Sequence, residues 1–256
     1  MKRKRILALF LAAVSCLSLA VSASAANTPN RKATDFRDFD KSAWYAEAVS
    51  AAVDNGLLYG KSSTIIDPNG DMTRAEMAAI INRSFGCYKT ADISQYKDVS
   101  KSKWYYKDVA LAVQMGTYNG RSSSEMAPDS PITRQEAMTV VARALELDYD
   151  SYSKTDLSAF SDRSEISNWA LPYVRAMVGA DYIHGRGKLL APLDNITRAE
   201  FAQIFHNIIG SYTTVKGIYD KDIKGSVLIR TDEVTLQNMT VDGDLIIGCG
   251  AADGKI

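Results

Sequence analysis

The chain has 256 residues, 46% of them hydrophobic, and its 30 basic side chains balance 30 acidic ones. A chain without net charge presents no overall field to a polyanion, so nucleic acid is not an expected partner, and an acidic ligand would have to be held by a few placed side chains. No segment after the N-terminus approaches the roughly 20 apolar residues that cross a bilayer, so no stable membrane span is expected beyond it.

In chain order, the first feature is a leader at residues 1–25. The basic cluster Lys2-Arg3-Lys4-Arg5 precedes an apolar stretch from Ile6 to about Val21, which ends in the small residues Ala23-Ser24-Ala25-Ala26. That is the layout of a secretory signal peptide, with cleavage expected after Ala25. An uncleaved membrane helix and a lipoprotein signal centred on Cys16 are the alternatives. Removing the leader's four basic residues leaves 26 basic against 30 acidic side chains, a net charge of −4. Cys87 and Cys249 survive cleavage, and the sequence does not say whether they pair.

One pattern then recurs three times, at about residues 35–87, 95–147 and 159–210. The first copy runs from Phe36-Arg37-Asp38 through Trp44 and Gly60 to Thr73-Arg74-Ala75-Glu76. The second runs from Tyr96-Lys97-Asp98 through Trp104 and Gly120 to Thr133-Arg134-Gln135-Glu136. The third runs from Phe160-Ser161-Asp162 through Trp169 and Gly185 to Thr197-Arg198-Ala199-Glu200. Trp and Gly are 16 positions apart in each copy, whereas the tryptophans are 60 and 65 apart, so the extra residues fall in linkers.

Each copy reads as two helices around a loop. The first starts near Trp44, is apolar at Ala48, Val49, Ala52 and Val53, and stops at Asn55-Gly56, where glycine can take the left-handed C-terminal position. A loop rich in Gly, Ser, Asp and Pro follows. The second helix begins at Thr73 and carries Met77, Ile80, Ile81 and Phe85 on one face; Ala137, Val140, Val141 and Leu145, then Phe201, Ile204, Phe205 and Ile209, occupy the same places later. The expected fold is mainly α: three helix-loop-helix repeats in a pseudo-threefold arrangement around a central three-helix bundle. Helices starting at Arg74, Arg134 and Arg198 should pack together in it.

The Thr-Arg-x-Glu box divides into two parts. Thr73/Glu76, Thr133/Glu136 and Thr197/Glu200 have capping-box spacing, which satisfies free N–H groups at a helix start. Arg74, Arg134 and Arg198 stand at the first helical position, where the dipole disfavours a cation by about 0.3–1 kcal/mol. Three such placements suggest an acidic ligand at each helix start, and removing an arginine should leave stability level or slightly raised. Lys61, Arg121 and Arg186, each following a loop glycine, either reinforce such sites or stand exposed. Trp44, Trp104 and Trp169 suit either a core or a sugar-stacking surface. Asp38, Asp98 and Asp162 suit turns or sugar hydroxyls. Gly60, Gly120 and Gly185 suit tight turns or a close-approaching ligand.

The order F/Y-x-D, W, N-G-L-x-x-G, a proline loop and T-R-A-E resembles the S-layer homology domain over about residues 35 to 210. The resemblance implies a secreted protein of the cell wall or surface layer, a pseudo-threefold module in one polypeptide. Its grooves between repeats would bind secondary cell-wall polysaccharide, typically through a pyruvylated amino sugar, N-acetylmannosamine. It further implies ligand-binding roles for Asp38, Trp44, Gly60 and Arg74, and for their equivalents Asp98, Trp104, Gly120, Arg134, Asp162, Trp169, Gly185 and Arg198. Repeat three departs from the pattern with Arg163 in place of Phe39 and Val99, and with Asp181 in place of Gly56 and Gly116. Its first helix is therefore expected to end differently, and a carboxylate there should make Arg198 matter less to binding than Arg74 or Arg134. Repeat two has Gln135 where the others have alanine.

Residues 218–256 change texture. Ser226–Arg230, Val234–Val241 and Gly243–Ile247 are short β-rich runs separated by turn residues. They read as the start of a β-solenoid, with a hairpin packed on the repeats as the alternative. His184 and His206 lack metal-ligand spacing, no catalytic triad appears, and no cofactor is expected. The expectation is a non-enzymatic anchor; the alternative is the anchoring end of a polysaccharide-degrading enzyme.

Overall fold

The structure is a computed structural model that describes residues 31–85 and 89–248, together with the backbone of a two-residue strand β1 (Ile6–Leu7). The rest of the expected leader, including Cys16, and both Cys87 and Cys249 lie outside the described residues. Three helix pairs follow one another: α1 (Ala46–Asp54) and α2 (Arg74–Phe85), α3 (Tyr106–Gln114) and α4 (Arg134–Ala144), α5 (Leu171–Gly179) and α6 (Arg198–Ile208). Among the described residues no helix is long and apolar enough to cross a membrane.

The first helix of each pair stops in the same way. Gly56 (φ 67°), Gly116 (φ 70°) and Asp181 (φ 67°) all take the left-handed conformation, and their amides reach back to Val53, Val113 and Val178 at 2.9, 3.0 and 3.0 Å. Asp is among the few non-glycine residues that visit this region readily. The expected difference in repeat three is therefore corrected: Asp181 replaces glycine without changing where the helix ends.

The second helices start on complete capping boxes. Thr73, Thr133 and Thr197 accept from the amides of Glu76, Glu136 and Glu200, whose carboxylates accept from the threonine amides in return. The apolar stripes behind them are buried as the 3.6-residue period requires. Ile80, Ile81, Val140, Val141, Ile204 and Phe205 all belong to one core, and Phe85 stacks on Phe205 at 5.8 Å to join α2 to α6.

Partners are exchanged between repeats. Helix α2 packs on α3, α4 on α5, and α6 returns to α1, so each repeat's second helix is covered by the first helix of the following copy. The loops before the second helices follow the same order. Ile132 N–H donates to Met72 O, Ile196 N–H to Ile132 O, and Met72 N–H to Ile196 O, each at 3.0 Å. Contacts run from repeat one to two, two to three, and three back to one.

Helix α6 passes directly into β2 (Ile209–Thr213). The chain continues through β3 (Gly217–Tyr219), β4 (Ile223–Lys224), β5 (Ser226–Ile229), β6 (Val234–Leu236), β7 (Val241–Asp242) and β8 (Leu245–Ile247). The pairings β2–β5, β5–β8, β3–β6 and β4–β7 are all parallel, and partners lie 16–18 residues apart, as in Gly217↔Val234 and Val227↔Leu245. Adjacent strands of a hairpin would be antiparallel, so the hairpin alternative is excluded. Leu228 and Ile246 join the helical core, which docks the strands onto the repeats.

Candidate functional site: the junctions between repeats

The motif residues of each copy converge on its junctions with its neighbours. Arg74 is 4% exposed, Arg134 5% and Arg198 2%. Arg74 donates through Nε to Met126 O at 2.9 Å and through Nη2 to Asn119 O at 2.9 Å, both in repeat two, and its Nη1 lies 3.1 Å from Glu136. Arg134 donates to Leu190 O at 2.8 Å and pairs with Glu200 at 3.2 Å, in repeat three. Arg198 closes the ring: Nε donates to Ile66 O at 2.9 Å, Nη1 pairs with Glu76 at 3.2 Å, and Nη2 bonds Tyr59 O, all in repeat one.

The backbone at each helix start is occupied in the same manner. Arg74 and Ala75 amides donate to Ser130 O and Pro128 O; Arg134 and Gln135 to Asp194 O and Pro192 O; Arg198 and Ala199 to Gly70 O and Pro68 O. These are the groups that would otherwise hold an anion at a helix N-terminus. The sequence expectation put an acidic ligand there. The structure puts carbonyls and a glutamate of the next repeat there instead, which explains why the motif recurs: each copy must grip a copy.

Asp38, Asp98 and Asp162 fix the gripped loop from the other side. Asp38 accepts from Ile66 N–H and Asp67 N–H at 2.9 and 2.8 Å, Asp98 from Met126 and Ala127, and Asp162 from Leu190 and Ala191. The same loop residues Ile66, Met126 and Leu190 thus give their amides to an aspartate of their own repeat and their carbonyls to a neighbour's arginine. Gly60 and Gly120 let an aromatic lie against the loop. A Cβ on Gly60 would come within 2.4 Å of the Phe36 ring, and one on Gly120 within 2.4 Å of the Tyr96 ring. Gly185 faces Phe160 equivalently and has φ 76°.

Each capping glutamate also meets a cation of its own repeat. Lys61 lies 2.6 Å from Glu76, Arg121 3.8 Å from Glu136, and Arg186 makes a two-pronged contact with Glu200 at 2.6 and 2.9 Å. Burial raises the Glu76 pKa, but the Lys61 hydrogen bond, the Thr73 amide and the Arg198 charge outweigh it and hold the group below its ordinary 4.5. Glu200 is lowered likewise: burial opposes, while hydrogen bonds from Arg186 and the Thr197 amide and the Arg134 charge prevail. Gln135 adds a junction contact that sequence reasoning missed, accepting from Ser167 N–H at 3.0 Å and donating to Ser167 Oγ at 3.2 Å.

The tryptophans behave oppositely. Trp44, Trp104 and Trp169 are 62%, 61% and 52% exposed, each just before a first helix. Trp44 and Trp104 meet the buried rings of Tyr45 and Tyr105 in T-shaped contacts at 5.6 and 5.4 Å. It is the adjacent tyrosine that enters the core. A cleft of about 370 Å³ opens in repeat one, lined by Arg31, Phe36, Gly56, Tyr59, Gly60 and Ser62 among others.

A family model of the S-layer homology domain matches residues 35–78, 95–138 and 159–202. The chain is 35% identical over 205 residues to the Surface-layer 125 kDa protein of Lysinibacillus sphaericus, covering 78% of this chain and 17% of that protein. It is 25% identical over 248 residues to an endoglucanase of Bacillus sp. (strain KSM-635), covering 95% of this chain and 26% of the enzyme. It is 27% identical over 148 residues to the S-layer protein sap of Bacillus anthracis, covering 58% of this chain and 17% of that protein. The chain spans about a quarter or less of these relatives' lengths. The three matched copies hold more than half of its residues, and with them this secreted, cell-surface chain belongs to the S-layer homology domain family.

Proposed function

We propose that the chain anchors an exported protein non-covalently to the cell wall by binding secondary cell-wall polysaccharide, carried by a pyruvylated amino sugar. The three repeats stand about a pseudo-threefold axis, with α2, α4 and α6 as its central bundle. The cyclic order of the Met72, Ile132 and Ile196 hydrogen bonds supports that arrangement. The strands from β2 onward form the first turns of a β-solenoid, a reading supported by parallel partners 16–18 residues apart.

The observation that carries the function is the exposure of one tryptophan per repeat, at equivalent positions, while the motif arginines are buried. An indole exposed at a helix start offers a large apolar face on which a sugar ring can stack. In this reading Trp44, Trp104 and Trp169 contact the polymer. The aspartates, glycines and arginines of the motif shape the grooves from beneath, holding the loops that line them. The match to an endoglucanase favours a second use, in which the same anchor carries an enzyme.

Cosedimentation with purified wall sacculi tests the reading, before and after chemical removal of the pyruvyl ketal. The chain should pellet with native sacculi and remain in solution with stripped ones. Each Trp→Ala change should weaken binding about tenfold, with stability altered by no more than about 0.5 kcal/mol. Equal pelleting by the unaltered chain and all three variants would reject the tryptophans as the contact surface.

A further inference from the structure

An acidic sugar needs a cation, and the motif arginines are occupied. Among residues lining the repeat-one cleft, Arg31 stands in a different condition. It is half-buried, and among the described residues its one hydrogen bond runs from Nη1 to Ser63 O. Its guanidinium lies over the Phe36 ring, 5.5 Å from the centroid. The carboxylate in the same cleft, Asp54, is already engaged: it accepts from Ala33 N–H at 3.2 Å and faces Lys32 at 4.0 Å. Tyr59 completes the wall, half open to solvent, with Arg83 3.7 Å from its ring centroid.

The cleft's chemistry is peculiar to repeat one. Five positions before the F/Y-x-D aromatic stand Arg31, Ala91 and Thr155. Tyr59 gives way to Asn119 and His184. Leu58 gives way to Ile183 in repeat three and to Tyr118 in repeat two, whose buried ring sends its hydroxyl to Arg74 O at 2.7 Å. The arginine also precedes the first matched copy, which begins at residue 35, so no repeat motif carries it.

We infer that Arg31 is the residue that reads the carboxylate of the wall polymer, and that it makes the cleft beside Tyr59 and Gly60 the charge-selective site of the three repeats. The inference rests on the wall-anchoring reading above. The guanidinium's remaining N–H groups form a planar fork suited to a carboxylate. Tyr59 and the Ser62 hydroxyl supply an apolar wall and a polar contact for the sugar that bears it.

Calorimetry with two probes decides the matter: a pyruvylated N-acetylmannosamine disaccharide and the same disaccharide without the ketal. The unaltered chain should prefer the pyruvylated sugar. Arg31→Gln should lose about tenfold or more in affinity for it and stay within about twofold for the plain sugar, whereas Arg31→Lys should retain part of the preference. Arg31→Gln binding the pyruvylated sugar as the unaltered chain does would overturn the inference and leave the anchoring reading standing. Failure of the unaltered chain to bind either sugar or native sacculi would instead overturn the anchoring reading, and the role of Arg31 with it.

Discussion

Replacing Arg198 by alanine removes three donors from repeat one at once. Ile66 O and Tyr59 O lose their partner and Glu76 loses a cation, all around a side chain 2% exposed. Breaking a buried pair from one side costs about 3–5 kcal/mol. Lys61 remains on Glu76, which sets the expected loss for Arg198→Ala at about 3 kcal/mol, measured as a lowered urea midpoint. Lys61→Ala, which cuts a half-exposed contact, should cost under about 1 kcal/mol. The sequence reading expected the arginine variants to keep or gain stability. It counted the helix dipole, which is real but small, and could not see the carbonyls of another repeat. The aspartates were ambiguous for the same reason: Asp38 reaches amides 28 and 29 positions away, and no local pattern announces that. Signals that were local proved legible, as with the threonine–glutamate caps. Trp44 and Trp104 fell between, because an aromatic followed by another leaves open which ring enters the core. Tyr45 and Tyr105 do.

Among the elements, the second helices and their buried stripes follow directly from the 3.6-residue period, and two first helices stop at the glycines the sequence marked, whereas the third stops at the same place on Asp181, against expectation. What periodicity could not give is which helix covers which, since α1 and α3 have equally good apolar faces. The junction that settles this is partly ionic, and its response to acid has a definite sign. Glu76 and Glu200 have folded pKa values below the ordinary 4.5, so the unfolded chain binds more protons as pH falls. Their contribution is fully present above pH 4.5 and is lost as pH drops through the lowered folded values. Thermal midpoints followed downward from pH 6 should hold until about pH 4.5 and then fall. In Glu76→Gln combined with Glu200→Gln the starting midpoint should be lower and the acid slope below pH 4.5 shallower. An unchanged slope would assign acid sensitivity to other carboxylates.

At the scale of the molecule, the exchange of helices between repeats makes each copy incomplete without its neighbours. Residues 31–147 alone would leave α1 without α6 and α4 without α5. That fragment should show no cooperative unfolding transition by calorimetry, whereas the repeats together should unfold in one transition. Four of the five extra residues between the second and third tryptophans lie between Arg134 and Asp162, where the short helix Tyr149–Tyr152 packs on α5, and one lies between Asp162 and Trp169, while the Trp-to-Gly spacing stays at 16. The direct passage of α6 into β2 has a mechanical consequence. Anything borne on the strands pulls on the last helix of the ring, with no slack segment between Ile208 and Ile209. That helix is held to repeat one by Arg198, and the residues leading into it are held to repeat two through the Ile196–Ile132 hydrogen bond. Tension entering at one end of the chain is therefore divided between two neighbours, so these bonds are loaded side by side and do not peel away one repeat at a time.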